Sequence, residues 1–146
     1  GLGHLFCAMG LGGRTAPGAG RKSYVINAPY DGNMLTSDPA MYAMIRDHVI
    51  AEQKFGLGGP TAGWLLTALQ DCRDIAAMPS PDVPCITYLG DNERIVDVPR
   101  IHDRMARWPK GRLDIVPRGE HEILMEREVT RIRVMDEMTE LFLANR

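Results

Sequence analysis

Residues 84–146 impose the tightest constraint on how this chain can fold. Pro84-Cys85-Ile86-Thr87-Tyr88-Leu89 is a short, nearly continuous apolar run stopped by Gly90, and Arg112-Leu113-Asp114-Ile115-Val116 is a second run stopped by Pro117. Apolar runs of this kind suit strands buried on both faces. Between them, Asp97-Val98-Pro99 opens a helix with Ile101 and Met105 inward. After them, a helix from about Glu126 to Leu143 carries Ile132, Met135, Met138 and Phe142 inward. The order strand, helix, strand, helix implies a crossover and parallel strands, and the fold class is therefore α/β. Two short parallel strands do not make an independently stable sheet. The expectation is that they are the edge of a larger sheet, its other strands lying in sequence outside these residues.

Residues 1–80 read differently. Leu2 to Leu11 is a short apolar helix candidate, followed by a Gly-rich stretch from Gly10 to Gly20. Those glycines do not form GxGxxG and no strand precedes them, so a flexible connection is expected rather than a phosphate cradle. Tyr24 to Ile26 is expected to be extended, and Asn27 to Asn33 is turn chemistry throughout. Asp38-Pro39 reads as an N-cap followed by proline at the first helical position. That helix should present Met41, Tyr42, Ile45 and Val49 on one face and fade near Phe55-Gly56. Gly59-Pro60 is expected to open a second helix with Trp64, Leu65, Ala68, Leu69, Cys72, Ile75 and Ala76 as its apolar stripe. Met78-Pro79-Ser80-Pro81 marks a boundary.

Charge and composition narrow the function classes. The chain has 146 residues, with 17 basic against 19 acidic side chains and a formal charge of −2. This gives no electrostatic case for nucleic acid, and 6% aromatics argue against a base-stacking surface. Cys7, Cys72 and Cys85 have no zinc spacing and read as free thiols of a reducing compartment. Free thiols and the lack of a targeting signal point to the cytoplasm. No apolar run approaches the ~20 residues of a membrane span, and no cofactor is called for.

In open parallel sheets, ligands bind outside the carboxyl ends of the strands. Two loops leave strands at that edge, Gly90-Asp91-Asn92-Glu93-Arg94-Ile95-Val96-Asp97 and Pro117-Arg118-Gly119-Glu120-His121-Glu122. Neighbouring strands lie ~4.8 Å apart, so an acid from the first loop can meet His121 from the second. That is the acid–histidine half of a nucleophilic triad.

The first loop with Leu89, and Gly119-Glu120-His121-Glu122-Ile123-Leu124-Met125-Glu126, resemble the carboxyl-terminal part of bacterial lysophospholipases, α/β-hydrolases of the monoacylglycerol lipase superfamily. Asn33-Met34-Leu35-Thr36-Ser37-Asp38-Pro39 and Gly58-Gly59-Pro60-Thr61-Ala62-Gly63-Trp64 resemble segments of that family's cap. The resemblance implies a helical cap at 1–80 and the carboxyl-terminal part of an α/β-hydrolase core at 84–146. It implies hydrolysis of a carboxylic ester, lysophospholipid first, through an acyl-serine, with His121 as general base and then general acid. The family places its serine in a Gly-x-Ser-x-Gly turn before the cap. Ser23, Ser37 and Ser80 lie in no such motif, so the nucleophile and oxyanion donors are expected upstream and the chain alone is expected to be inactive.

For the acid, Glu93 stands where the family usually has Asp, and Asp97 is the rival, although Asp before Val98-Pro99 also suits an N-cap. His4, His48 and His102 read as surface histidines, and Glu120 and Glu122 as solvated charges. Arg127, Arg131 and Arg133 with Glu126, Glu128, Asp136 and Glu137 read as a solvated helix face. Met34, Met41 and Met44 with Phe6, Met9 and Trp64 read as ordinary packing or as the lining of an acyl pocket. A small-molecule ester or lysolipid is the expected partner, with peripheral membrane contact implied by such a substrate and homo-oligomerisation left open by the exposed sheet edge. A monoacylglycerol-type ester is the alternative substrate, and a non-catalytic binding protein on the same frame is the alternative of another class.

Overall fold

The computed structural model describes residues 2–146, with the side chain of Leu2 outside the description. The chain forms two compact units. One runs through Pro29 and resumes over Ile45–Met78; the other comprises Tyr30–Met44 and Pro79–Arg146. The chain thus enters the second unit at residue 30, leaves it, and returns at residue 79.

The first unit is helical. Helix α1 (Leu2–Ala8) is shorter than the apolar run suggests, because Gly10 at φ +74 turns the chain away. Residues 10–20 are pinned, contrary to the flexible connection expected of them. Gly63 N–H donates to the Gly12 carbonyl at 2.8 Å, Ala62 N–H to Arg14 at 2.8 Å, and Gly59 N–H to Gly20 at 2.7 Å, around a Thr15–Thr61 bridge. Helix α2 (Tyr24–Asn27) replaces the expected extended segment; the Asn27 side chain closes it by donating to the Ser23 carbonyl at 2.7 Å. Helix α3 (Pro39–Ala51) belongs to the second unit as far as Met44 and to the first from Ile45; it begins as its sequence dictates, with Asp38 Oδ1 accepting from Ala40 and Met41 N–H. It buries Tyr42 and Val49.

Helix α4 (Ala62–Ala77) starts two residues later than Gly59-Pro60 suggests, because Thr61 Oγ1 caps it through the Trp64 N–H. Its predicted apolar stripe is exposed: Trp64, Leu65, Leu69, Cys72 and Ile75 all face outward. Periodicity located the stripe, but among the described residues its large members are left exposed, while Ala68 and Ala76 are half-buried. The packed side carries Ala62 and Leu66.

The second unit holds the sheet. Strands β1 (Cys85–Gly90) and β2 (Gly111–Val116) pair in parallel, with Cys85 opposite Gly111 and Gly90 opposite Val116. Helix α5 (Val98–Ala106) connects them and buries Met105. A 3₁₀ turn, Ile123–Met125, precedes helix α6 (Glu128–Ala144). The core joins Val116, Ile123 and Val134, with Tyr88 and Met138 packed against it. Ile132, Met135 and Phe142 are exposed, contrary to expectation. Helix α6 is apolar on more than one side, and the side that meets the core is the one bearing Val134 and Met138.

The supposed solvated face of α6 is in part an ion-pair cluster. Arg133 reaches Asp114 at 3.1 Å and Glu137 at 2.8 Å, Arg112 pairs with Asp114 and Glu137, and the Tyr88 hydroxyl donates to Glu137 at 3.2 Å. Hydrogen bonding from Arg112 holds the Glu137 carboxyl below its ordinary value against the opposing effect of burial. Among the described residues, no helix is long and apolar enough to cross a membrane.

Candidate active site

Two loops at the carboxyl ends of β1 and β2 are stitched together by backbone hydrogen bonds. Asp91 N–H donates to the Val116 carbonyl at 3.1 Å and Asn92 N–H to Gly119 at 3.0 Å. A methyl group at Gly90 would overlap the Gly119 carbonyl and stand 2.5 Å from the Glu120 carbonyl oxygen. Glycine at position 90 is therefore what lets the loops touch. On the other side, Pro117-Arg118 forms a turn closed by Gly119 N–H to the Val116 carbonyl at 3.1 Å. Arg118 sits there at φ 60, the left-handed conformation that the third residue of a type II turn requires and glycine usually supplies.

These loops bring Glu93 and His121 together. The Glu93 side chain is 4% exposed and that of His121 31%. One Glu93 oxygen accepts from the Ile95 N–H at 2.5 Å and the Val96 N–H at 3.2 Å; the other lies 2.7 Å from His121 Nδ1. Burial alone would push the Glu93 carboxyl up. The hydrogen bonds from Ile95, His121 and Val96, with the charge attraction of His121, outweigh it and hold the group below its ordinary value. An ionised carboxylate only accepts, so Nδ1 carries the proton and donates it to Glu93. Nε2 then holds the free lone pair, and among the described residues it has no hydrogen-bond partner. An imidazole held in this tautomer can take a proton from a nucleophile.

Asp97, the rival acid, is engaged elsewhere. It caps α5, accepting from the Arg100 N–H at 3.3 Å, and pairs with the Arg100 side chain at 3.7 Å. Among the described residues no serine hydroxyl hydrogen-bonds His121. Ser37 is bound to Glu126, and the buried Ser80 hydroxyl has no partner. His4, His48 and His102 are exposed. Phe6 lines an apolar cavity of about 410 Å³ with Leu65, Leu66 and Leu69, whereas Met9, Met44 and Trp64 are exposed.

Several residues around the pair escaped the sequence reading. Glu120 is not a solvated charge: its side chain is 12% exposed and pairs with Arg94 at 3.0 Å, while Arg94 also donates to the Asn33 carbonyl at 3.1 Å. Asn33, 7% exposed, ties its own turn, accepting from Leu35 and Thr36 N–H and donating to the Tyr30 and Thr36 carbonyls. Glu126, assigned to a solvated helix face, is 2% exposed and precedes α6. The residues at 33–38 receive the histidine loop: His121 N–H donates to Met34 at 3.2 Å and Glu122 N–H to Leu35 at 2.8 Å. The Asn33–Pro39 segment and the Gly119–Glu126 motif were both visible in sequence. That they meet is a tertiary fact that no local pattern carries.

No family model matches the chain. It is 28% identical over 80 residues to a probable lysophospholipase L2 of Haemophilus influenzae, a match covering 54% of the chain and 26% of that protein. A soluble variant of monoglyceride lipase from Saccharomyces cerevisiae, solved in complex with a substrate analog, superposes with a TM-score of 0.55 at 17% identity, over 74% of the chain and 39% of the lipase. The chain spans well under half the length of either protein. The structural likeness gives the chain an α/β-hydrolase fold, and its sequence is similar to part of a probable lysophospholipase.

Proposed function

We propose that the protein hydrolyses a carboxylic ester through an acyl-serine, with His121 as the proton shuttle and Glu93, rather than Asp97, as the carboxylate that orients it. The observation that carries this reading is the 2.7 Å contact between His121 Nδ1 and a buried Glu93 whose other oxygen is held by two backbone N–H groups. A serine hydroxyl attacks the ester carbonyl and gives its proton to His121 Nε2. The leaving alcohol takes that proton, a water then gives one back to His121 as it attacks the acyl-enzyme, and the serine is regenerated. Glu93 stays ionised and stabilises the imidazolium.

The nucleophile is proposed to come from sequence preceding residue 1. The absence of a Gly-x-Ser-x-Gly turn among 146 residues and the partial coverage of both similar proteins support this. In this reading residues 1–80 serve as the cap and 84–146 end the core. Lysophospholipid is the first substrate, from the name of the sequence relative, and a monoacylglycerol the second, from the name of the structural neighbour.

The test is a hydrolysis panel of lysophospholipids and monoacylglycerols on the full-length protein, with fluorophosphonate labelling. Turnover and labelling are expected, both abolished by His121→Ala. A His121→Ala variant at the wild-type rate would refute the mechanism, and failure to label at all would favour a non-catalytic protein on the same frame.

A further inference from the structure

We propose that Glu126 is a positioning residue for His121, acting by clamping the histidine loop onto the Asn33–Asp38 segment. A buried carboxylate is costly unless donors surround it, and each donor to this one belongs to one of the two strips of chain being joined. Glu126 Oε1 accepts from the Glu120 N–H at 2.8 Å, the residue next to His121, and from the Ser37 N–H at 3.1 Å. Its Oε2 accepts from the Ser37 hydroxyl at 2.5 Å and again from the Ser37 N–H at 3.3 Å. Around the carboxylate the same strips are tied by backbone. Thr36, 1% exposed, donates its hydroxyl to the Met125 carbonyl at 2.6 Å, while His121 and Glu122 donate to Met34 and Leu35. The imidazole is thus held from both sides of the loop, by Glu93 on the side chain and by Glu126 through the backbone of residue 120.

The geometry separates shape from charge. In Glu126→Gln the amide oxygen can occupy the Oε1 position and keep both backbone donors. Its NH₂ then faces the Ser37 hydroxyl, which can accept as well as donate. Glu126→Ala leaves the Glu120 and Ser37 N–H groups without partners and loosens the loop, which then keeps only its ties through Met34, Leu35 and Thr36.

This inference rests on the catalytic reading of His121, so it is tested by two readouts. The first needs no activity: the low-field Nδ1–H resonance of His121 in the full-length protein, labelled with ¹⁵N-histidine and assigned by its loss in His121→Ala. Glu126→Ala is expected to broaden or abolish it, and Glu126→Gln to retain it. The second is ester hydrolysis, where Glu126→Ala should lower kcat on the order of 10²-fold with KM little changed, as a misplaced catalytic group does, and Glu126→Gln should restore most of the rate. If Glu126→Ala does not fold, Ser37→Ala takes its place, with the same resonance expected to weaken. A folded Glu126→Ala (or, in its stead, Ser37→Ala) with the wild-type resonance and kcat overturns the proposal, as does a Glu126→Gln variant as impaired as the alanine one. A protein without esterase activity sinks the hydrolase reading, while the resonance still decides the clamp.

Discussion

Glu93→Gln probes the proposed catalytic pair with little change of shape, and the outcome follows from which oxygen holds which donor. The glutamine oxygen can stay where Glu93 accepts from the Ile95 and Val96 N–H groups. Its NH₂ then faces His121 Nδ1. Turning the amide over would set that NH₂ against the two backbone donors, forfeiting two hydrogen bonds of about 0.5–1.5 kcal/mol each. The upright orientation therefore wins by about 1–3 kcal/mol. Facing a donor, Nδ1 must accept, so the proton moves to Nε2, the nitrogen that receives the nucleophile's proton in the proposed mechanism. The equivalent carboxylate-to-amide change in the serine proteases lowers kcat on the order of 10⁴-fold with the geometry intact, and a loss of that size is expected here. The assay is kcat for ester hydrolysis beside the ¹⁵N shifts of the His121 ring. A variant within about tenfold of wild type, a barrier change of roughly 1.4 kcal/mol, with Nδ1 still protonated, would refute the assignment of Glu93.

Gly90→Ala should destabilise by about 1–3 kcal/mol or more and loosen the His121–Glu93 contact, because the added methyl overlaps the Gly119 carbonyl; chemical denaturation checks the first and the His121 resonance the second. Arg118→Gly should raise stability by about 1 kcal/mol, since Arg118 occupies a left-handed position; a lower denaturation midpoint would count against the turn assignment. The Glu93 carboxyl, held below its unfolded value of 4.5, contributes stability that is present above that pH and lost as pH falls through the folded value. The stability gap between wild type and Glu93→Gln should therefore narrow on acidification below pH 4.5, and a gap that widens would reverse the sign of the argument.

Local chemistry in the sequence carried the frame. Asp38-Pro39, Asp97-Val98-Pro99 and the runs stopped by Gly90 and Pro117 each announce an element by caps, breakers or continuous apolarity, and each element forms. The parallel pairing followed from element order alone. What failed was the direction in which amphipathic helices face. Helices α4 and α6 carry more apolar surface than the described residues cover, so periodicity overstated what is buried. The site divided the same way. That an acid of the first loop could meet His121 was legible because strand ends dictate where loops emerge; Glu93 as that acid came from the resemblance, and it is the one that lies against His121 Nδ1. Glu126 was not legible, because a charged residue at the start of a charged helix carries no local sign that backbone donors from residues 37 and 120 will surround it.

The histidine loop is moored at residues 33–38, and the chain departs at Ile45 into its other compact unit and comes back only at Pro79. Everything the loop needs from the amino-terminal half is therefore delivered before that excursion begins. The stretch between packs instead with residues 1–29, to which it is tied through Gly12, Arg14 and Gly20, so a change of length there leaves the mooring of the histidine loop in its own unit untouched.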